Sequence, residues 1–213
     1  MTSEPPMSEA ALPAHTLAEA YLYLMALPCP QCGSGPLHAQ PPHQFDRSRA
    51  PKIIRVDMRA TCQSCNHEVN LSFEYPSPRE IAADRLRGIT RLNPDRQPSK
   101  ILDVGQWLTL FRVILEKAST TSDRAEGRRL GYEAAQCLEE ALKFYEPDND
   151  LPPPSAFRHE TSKKRLRDHP GLFARQRLLD MRTKLPSLTQ MEAKITGQAT
   201  AESRRPWWRF WRR

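Results

Sequence analysis

The chain has 213 residues, a net charge of +7, 20 prolines, only eight glycines and a mean hydropathy of −0.67. Proline at about 9% against a usual ~5% divides it into parts that fold and parts that do not; the few glycines exclude collagen, and five cysteines in 213 residues exclude a disulfide scaffold. The charge is concentrated in the last ten residues, RRPWWRFWRR, which hold five arginines and no acid, so the other 203 residues carry only +2 and the pI of 9.4 describes a tail, not a basic body.

In chain order, residues 1–14 read as a disordered start, with three prolines and little apolar content. The segment MTSEPPMSE lacks the basic n-region of a secretory signal, so a cytoplasmic, reducing location is expected. The longest apolar run, Tyr21 to Leu27, has seven residues. A bilayer span needs ~20. That run belongs to a predicted helix. Thr16 and Glu19 form a T-x-x-E capping box, Leu17, Tyr21, Leu24 and Met25 recur at helical spacing, and Pro28 ends it.

After Cys29 the period changes to two. Ile54, Val56, Met58 and Ala60 alternate with Arg55, Asp57 and Arg59. Val69, Leu71, Phe73 and Tyr75 alternate with Asn70, Ser72 and Glu74. Two half-buried strands are predicted, joined by a turn over Cys62 to His67. Residues 36–51, with four prolines, are expected as loop with at most a short edge strand near Leu37, and His38 and His43 as loop residues.

Helical grammar returns at Ser77, where SPRE supplies an N-cap, a first-turn proline and a glutamate ahead of Ala82, Leu86 and Ile89. Asp103 and Gln106 resemble a further capping box, followed by Trp107, Phe111, Ile114, Leu115 and Ala118 on one face. The polar link STTSD leads to a longer helix, Arg124 to Tyr145, striped by Leu130, Ala134, Cys137, Leu138, Ala141, Leu142 and Tyr145. These two are expected to form an antiparallel hairpin. Shorter helices near 160–168 and 170–184, separated by Pro170, would dock Phe173, Leu178 and Met181 on it.

The most specific chemical signal is CPQC at 29–32 and CQSC at 62–65, 29 residues apart. Two cysteines with two residues between them bend both sulfurs onto one ion, and two such knuckles complete a tetrahedron. Gly33 follows the first knuckle, where a positive φ is useful. A redox Cys-x-x-Cys opens a helix in a βαβ setting, and this pattern is missing. Residues 28–75 resemble a zinc ribbon. The resemblance implies Zn2+ held by Cys29, Cys32, Cys62 and Cys65, four thiolates with no open position for catalysis. His67, two residues past Cys65, is a weaker substitute ligand. The class serves DNA, RNA and protein contacts, or stability alone, so it names a site and not a function.

Other features are less specific. Cys137 on an apolar stripe reads as a buried free thiol. CLEEALKFYEPDND resembles the second helix and exit turn of a tetratricopeptide unit over 137–150, but one copy makes no array. KKRLRD at 163–168 reads as a solvated helix face, a phosphate contact or a partner of the acidic EPDND at 146–150. The tail residues Arg204, Arg205, Trp207, Trp208, Arg209, Phe210, Trp211, Arg212 and Arg213 resemble Trp/Arg-rich membrane-active peptides, and the same chemistry suits an anionic membrane surface, a partner's groove or single-stranded nucleic acid. No phosphate-binding loop, dinucleotide fingerprint or nucleophile elbow occurs.

The expected protein is α+β: residues 1–14 disordered, 15–76 a helix plus a zinc-ribbon β module, 77–185 an α-helical region with a hairpin, and 186–213 a flexible tail. The expected role is a non-enzymatic, zinc-binding adaptor for a protein partner. The rivals are a nucleic-acid-binding protein, with Arg55 and Arg59 on phosphate, and a peripheral membrane protein held by its tail.

Overall fold

The computed structural model describes residues 10–46, 52–76 and 92–186. The chain is α+β and divides into two compact units, Met1–Ile81 and Ala82–Arg213. The helix expected from Ser77 to Ile89 and the aromatic tail lie outside the described residues. Among the described residues no helix is long and apolar enough to cross a membrane.

The first unit is a four-stranded sheet under one helix. Its elements are β1 (Leu12–Pro13), α1 (Leu17–Ala26), β2 (Leu37–Asp46), β3 (Ile53–Cys62) and β4 (Glu68–Pro76), with spatial order β1-β4-β3-β2. The β3/β4 alternation read from sequence is present. Ile54, Val56, Met58, Ala60 and Cys62 are buried while Ile53, Asp57 and Arg59 face out, and Phe73 and Tyr75 are buried on β4. The two strands are antiparallel, with Val56 opposite Phe73 and Thr61 opposite Glu68 across the predicted turn.

Three expectations are corrected here. Part of the start expected to be disordered is ordered: Leu12–Pro13 pairs in parallel with Phe73–Glu74 on β4. Residues 37–46, expected mostly as loop, form a ten-residue strand antiparallel to β3 that includes His38 and His43. Pro41 and Pro42 are tolerated because β2 is an edge strand and its register slips between Gln40 and Gln44, where no ladder amide is needed. Third, α1 turns a different face inward. Its core residues are Ala20, Leu22 and Leu24, with the Tyr23 ring edge-on to Phe73 at 5.8 Å, whereas Tyr21 and Met25 are exposed. Glu19 is the one charged residue in LAEAYLYLMA, so periodicity offered no unique polar face. The cap is present in part: Thr16 Oγ1 accepts from the Glu19 amide at 3.1 Å, and the Glu19 carboxylate accepts from the His15 amide.

The second unit holds α2 (Val104–Thr120), α3 (Arg124–Leu142), α4 (Glu160–Asp168) and α5 (Arg175–Thr183), with short 3-10 turns at Pro154–Ala156 and Pro170–Phe173. The Asp103–Gln106 capping box is complete in both directions. Trp107, Phe111, Ile114, Leu115 and Ala118 are buried against Leu130, Ala134, Cys137, Leu138 and Ala141 of α3. A three-residue link, 121–123, makes the two helices antiparallel neighbours. Phe173 and Leu178 are fully buried, the Tyr145 hydroxyl donates to the Phe173 carbonyl at 2.7 Å, and Arg182 pairs with Glu139, so α5 docks on the hairpin. The basic run pairs within α4 (Lys163 with Glu160, Lys164 with Asp168), and the acidic stretch instead meets the start of α5, where the Arg175 amide donates to Asp150 O.

Candidate metal centre

The two Cys-x-x-Cys knuckles are built alike. In the first, the Gly33 amide donates to Cys29 O at 2.8 Å, closing the turn, with Gly33 at φ +69°. In the second, the Asn66 amide donates to Cys62 O at 2.9 Å, with Asn66 at φ +59°. Each needs a left-handed residue one step past its second cysteine. Glycine reaches that conformation freely, and asparagine is among the few side chains that tolerate it. The match extends outward: Cys29 N–H donates to Ser34 O, and Cys62 N–H to His67 O at 2.9 Å. The knuckles are tied together by Gln63 N–H on Pro36 O at 3.1 Å and Ser64 Oγ on Gly35 O at 3.3 Å. Leu37, opening β2, lies opposite Cys62 at the end of β3. The 29-residue gap is therefore not a free insertion; β2 and β3 run through it and bring the two knuckles to one end of the sheet.

All four cysteines are unbridged, and their sulfurs lie within 4.8 Å of one another. Cys29 Sγ is 3.7 Å from Cys65 Sγ, and Cys32 Sγ is 3.7 Å from Cys62 Sγ. Four thiolates at ~2.3 Å from a tetrahedral zinc ion would be separated by about 3.8 Å. The geometry fits a metal ion between the knuckles. Each knuckle contributes one buried sulfur residue, Cys29 or Cys62, and one exposed, Cys32 or Cys65.

The electrostatics fit as well. Burial opposes ionisation of the Cys62 thiol, but the Ser64 and Cys65 amides and the Cys65 and Cys29 thiols outweigh it and bring it down to about 6. The Ser64 amide lies 3.3 Å from that sulfur. Cys65 moves the other way. The His67 amide favours its thiolate, yet burial and the thiols of Cys32, Cys29 and Cys62 push it up to about 12. The neighbouring sulfurs thus favour the Cys62 thiolate and oppose that of Cys65. A cation at the centre removes that conflict, because metal ligation deprotonates the remaining thiols.

No family model, curated protein or solved structure matches the chain.

The structure thus brings Cys29, Cys32, Cys62 and Cys65 together. The metal-capable cluster among the described residues contains no histidine; His67 contributes its carbonyl to the turn and His38 sits on β2. Asn66 was missed in the sequence, although an asparagine placed as Gly33 is placed after the other knuckle was the signal for it. Cys137 is fully buried, and burial raises its thiol well above the ordinary range, so it is a packing residue. Of the two arginines expected on phosphate, Arg59 is exposed on β3, and Arg55 is half-buried. Arg55 donates to Ser72 Oγ at 3.2 Å and lies 3.5 Å from Asp57, with Glu74 opposite in the register. The tail residues Arg204 to Arg213 lie outside the described residues.

Proposed function

We propose that the protein is a non-enzymatic interaction protein whose first unit is a zinc-ribbon-type module, stabilised by one Zn2+ on Cys29, Cys32, Cys62 and Cys65. The observation that carries this reading is the pair of 3.7 Å sulfur separations across two equivalent knuckles, the edge length of a closed tetrahedron. Four thiolates fill the coordination sphere of zinc. No position remains for the water that a catalytic zinc activates, so the ion serves the fold.

A protein partner is favoured over nucleic acid by charge. From Ala10 to Pro76, Arg47, Arg49, Lys52, Arg55 and Arg59 are balanced by Glu19, Asp46, Asp57, Glu68 and Glu74, and neither knuckle carries a charged residue. Phosphate binding calls for a cluster of cations that releases counterions. Among the described residues of the first unit the cations are Lys52, Arg55 and Arg59, and Arg55 lies 3.5 Å from Asp57.

Elemental analysis of the full chain purified without added metal tests the first half, with one zinc per chain expected and its absence fatal to the reading. Crosslinking from cells tests the second: wild type should yield a defined protein partner that Cys62→Ser loses. Capture of nucleic acid with a steep salt dependence instead would overturn the adaptor role.

A further inference from the structure

The second unit contains an open cleft of about 660 Å3 between the 97–100 segment, the end of α3 and the 153–158 segment. Its charged lining is all cationic: Lys100, Lys143 and Arg158. Its apolar lining comes from Pro98, Phe144 and Pro153. Two of the cations are held in place by the fold. Lys143 Nζ donates to Asp95 O at 2.6 Å and to Glu140 Oε1 at 2.7 Å. The Arg158 guanidinium donates to the carbonyls of Ser99, Lys100 and Leu102, while its amide donates to the buried Asp103 carboxylate. Glu140 and Asp103 thus offset part of the charge from behind. Lys100 differs: it is exposed and has no acidic partner among the described residues. The cleft presents one uncompensated cation beside two anchored ones, with apolar lining from Pro98, Phe144 and Pro153 and polar lining from Gln97, Ser99 and Ser155.

We propose that this cleft docks an acidic, partly apolar peptide segment of a partner protein, with a carboxylate on Lys100 and apolar side chains on Phe144 and the two prolines. Charge complementarity selects the sign of the occupant. Openness selects its form: small-molecule sites enclose most of their ligand, whereas an extended chain can lie in a trough that stays open along one side. The site is built from residues far from the cysteines. It shares with the adaptor reading only the class of partner, and its failure leaves the zinc module untouched.

The test is fluorescence anisotropy of the full chain at 150 mM salt with a labelled Glu-Pro-Leu-Glu-Phe-Glu peptide and its Gln-for-Glu and Lys-for-Glu versions; these conditions screen charges beyond about 8 Å. The acidic peptide should bind, with the glutamine version at least tenfold weaker and the lysine version silent. Lys100→Glu should weaken binding at least tenfold and Ser155→Trp, which fills the cleft, should abolish it, whereas Lys117→Glu outside the cleft should change nothing. Lys100→Gln provides a milder variant should charge reversal lower the melting temperature. No binding of the acidic peptide, binding indifferent to Lys100→Glu and Ser155→Trp, or binding lost only on deletion of residues 204–213 would each overturn the proposal. A chelator that strips the zinc should leave the peptide affinity unchanged.

Discussion

The first unit encloses Val56, Met58, Ala60, Phe73 and Leu24 between one sheet face and a ten-residue helix, whereas the second surrounds Trp107, Leu102, Leu110, Leu138, Phe173 and Leu178 with four helices. The buried polar groups differ in the same way. The second unit satisfies its buried Asp103 internally: Oδ1 accepts from the Gln106 amide and the Ser162 hydroxyl, each at 2.8 Å, and Oδ2 from the amides of Arg158 at 3.0 Å and His159 at 2.9 Å. The first unit gathers four cysteine sulfurs within 4.8 Å of one another, a set that a cation would satisfy. The second unit meets its buried aspartate with four donors of its own; the first leaves a place for an ion. Small β modules need such a staple because so little apolar surface is removed from water.

The largest expected effect tests that difference directly. Metal binding contributes on the order of 10 kcal/mol or more to small zinc modules, which rivals the whole stability of a domain at ~5–15 kcal/mol. Chelation, or Cys62→Ser, should collapse amide NMR signals from 10–76 and leave those of 92–186 in place. If the helical signals collapse too, the units are not independent, and if neither changes, the ion is not structural.

Next in size is Asp103→Ala, which does to the helical unit what chelation does to the ribbon. It strands three amides and a hydroxyl where α2 begins and the chain enters α4. Buried donors left without acceptors cost ~1–3 kcal/mol each, and part of that is recovered by relaxation. A loss of about 3 kcal/mol or more is expected, read as a lowered urea midpoint of the helical signal, with zinc content unchanged. A loss below about 1 kcal/mol would show that the carboxylate is not the hub its geometry describes.

Gly105→Ala comes third, and here two effects compete in sign. Alanine gains up to ~1 kcal/mol over glycine in a helix interior, and less at Gly105, the second residue of α2. At position 105, however, the added Cβ would sit 2.6 Å from Ser162 Cβ and 3.1 Å from its Cα, so helix α4 itself would have to move. Overpacking of this kind costs ~1–3 kcal/mol. The clash wins, and a small net destabilisation is expected by thermal melting; a raised melting temperature would mean that α4 shifts freely.

These residues also show what could be read in advance. The β3/β4 alternation, the Asp103–Gln106 cap, the α2/α3 stripes and the cysteine pairs depend on local period and spacing, which a sequence displays. Asp103 as an anchor for Arg158, His159 and Ser162 depends on a contact 55 to 59 residues away, which it does not. β2 was hidden because prolines in an edge strand at a register slip look the same as prolines in a loop. The face of α1 was hidden because a helix apolar on all sides is oriented by its neighbour, here Phe73.

The smallest effect separates the two knuckles from each other. Gly33 stands at φ +69°, and a Cβ added there would find nothing within 4 Å, so Gly33→Ala meets no clash and only the cost of a left-handed alanine, about 1–2 kcal/mol. Because folding of the module and metal binding are one equilibrium, that cost should appear as roughly a tenfold loss of zinc affinity in competition with a chelator. Asn66→Ala should lose a similar factor, since Asn66 occupies the same place at φ +59°, while Asn66→Gly should change affinity by less than about threefold, its easier φ offset by greater freedom in the unfolded chain. If Gly33→Ala is costly and Asn66→Ala is not, the first knuckle sets the site and the second adapts to it. Equal losses would mean that the ion is held by two interchangeable halves, each as dependent on its single left-handed residue as on its cysteines.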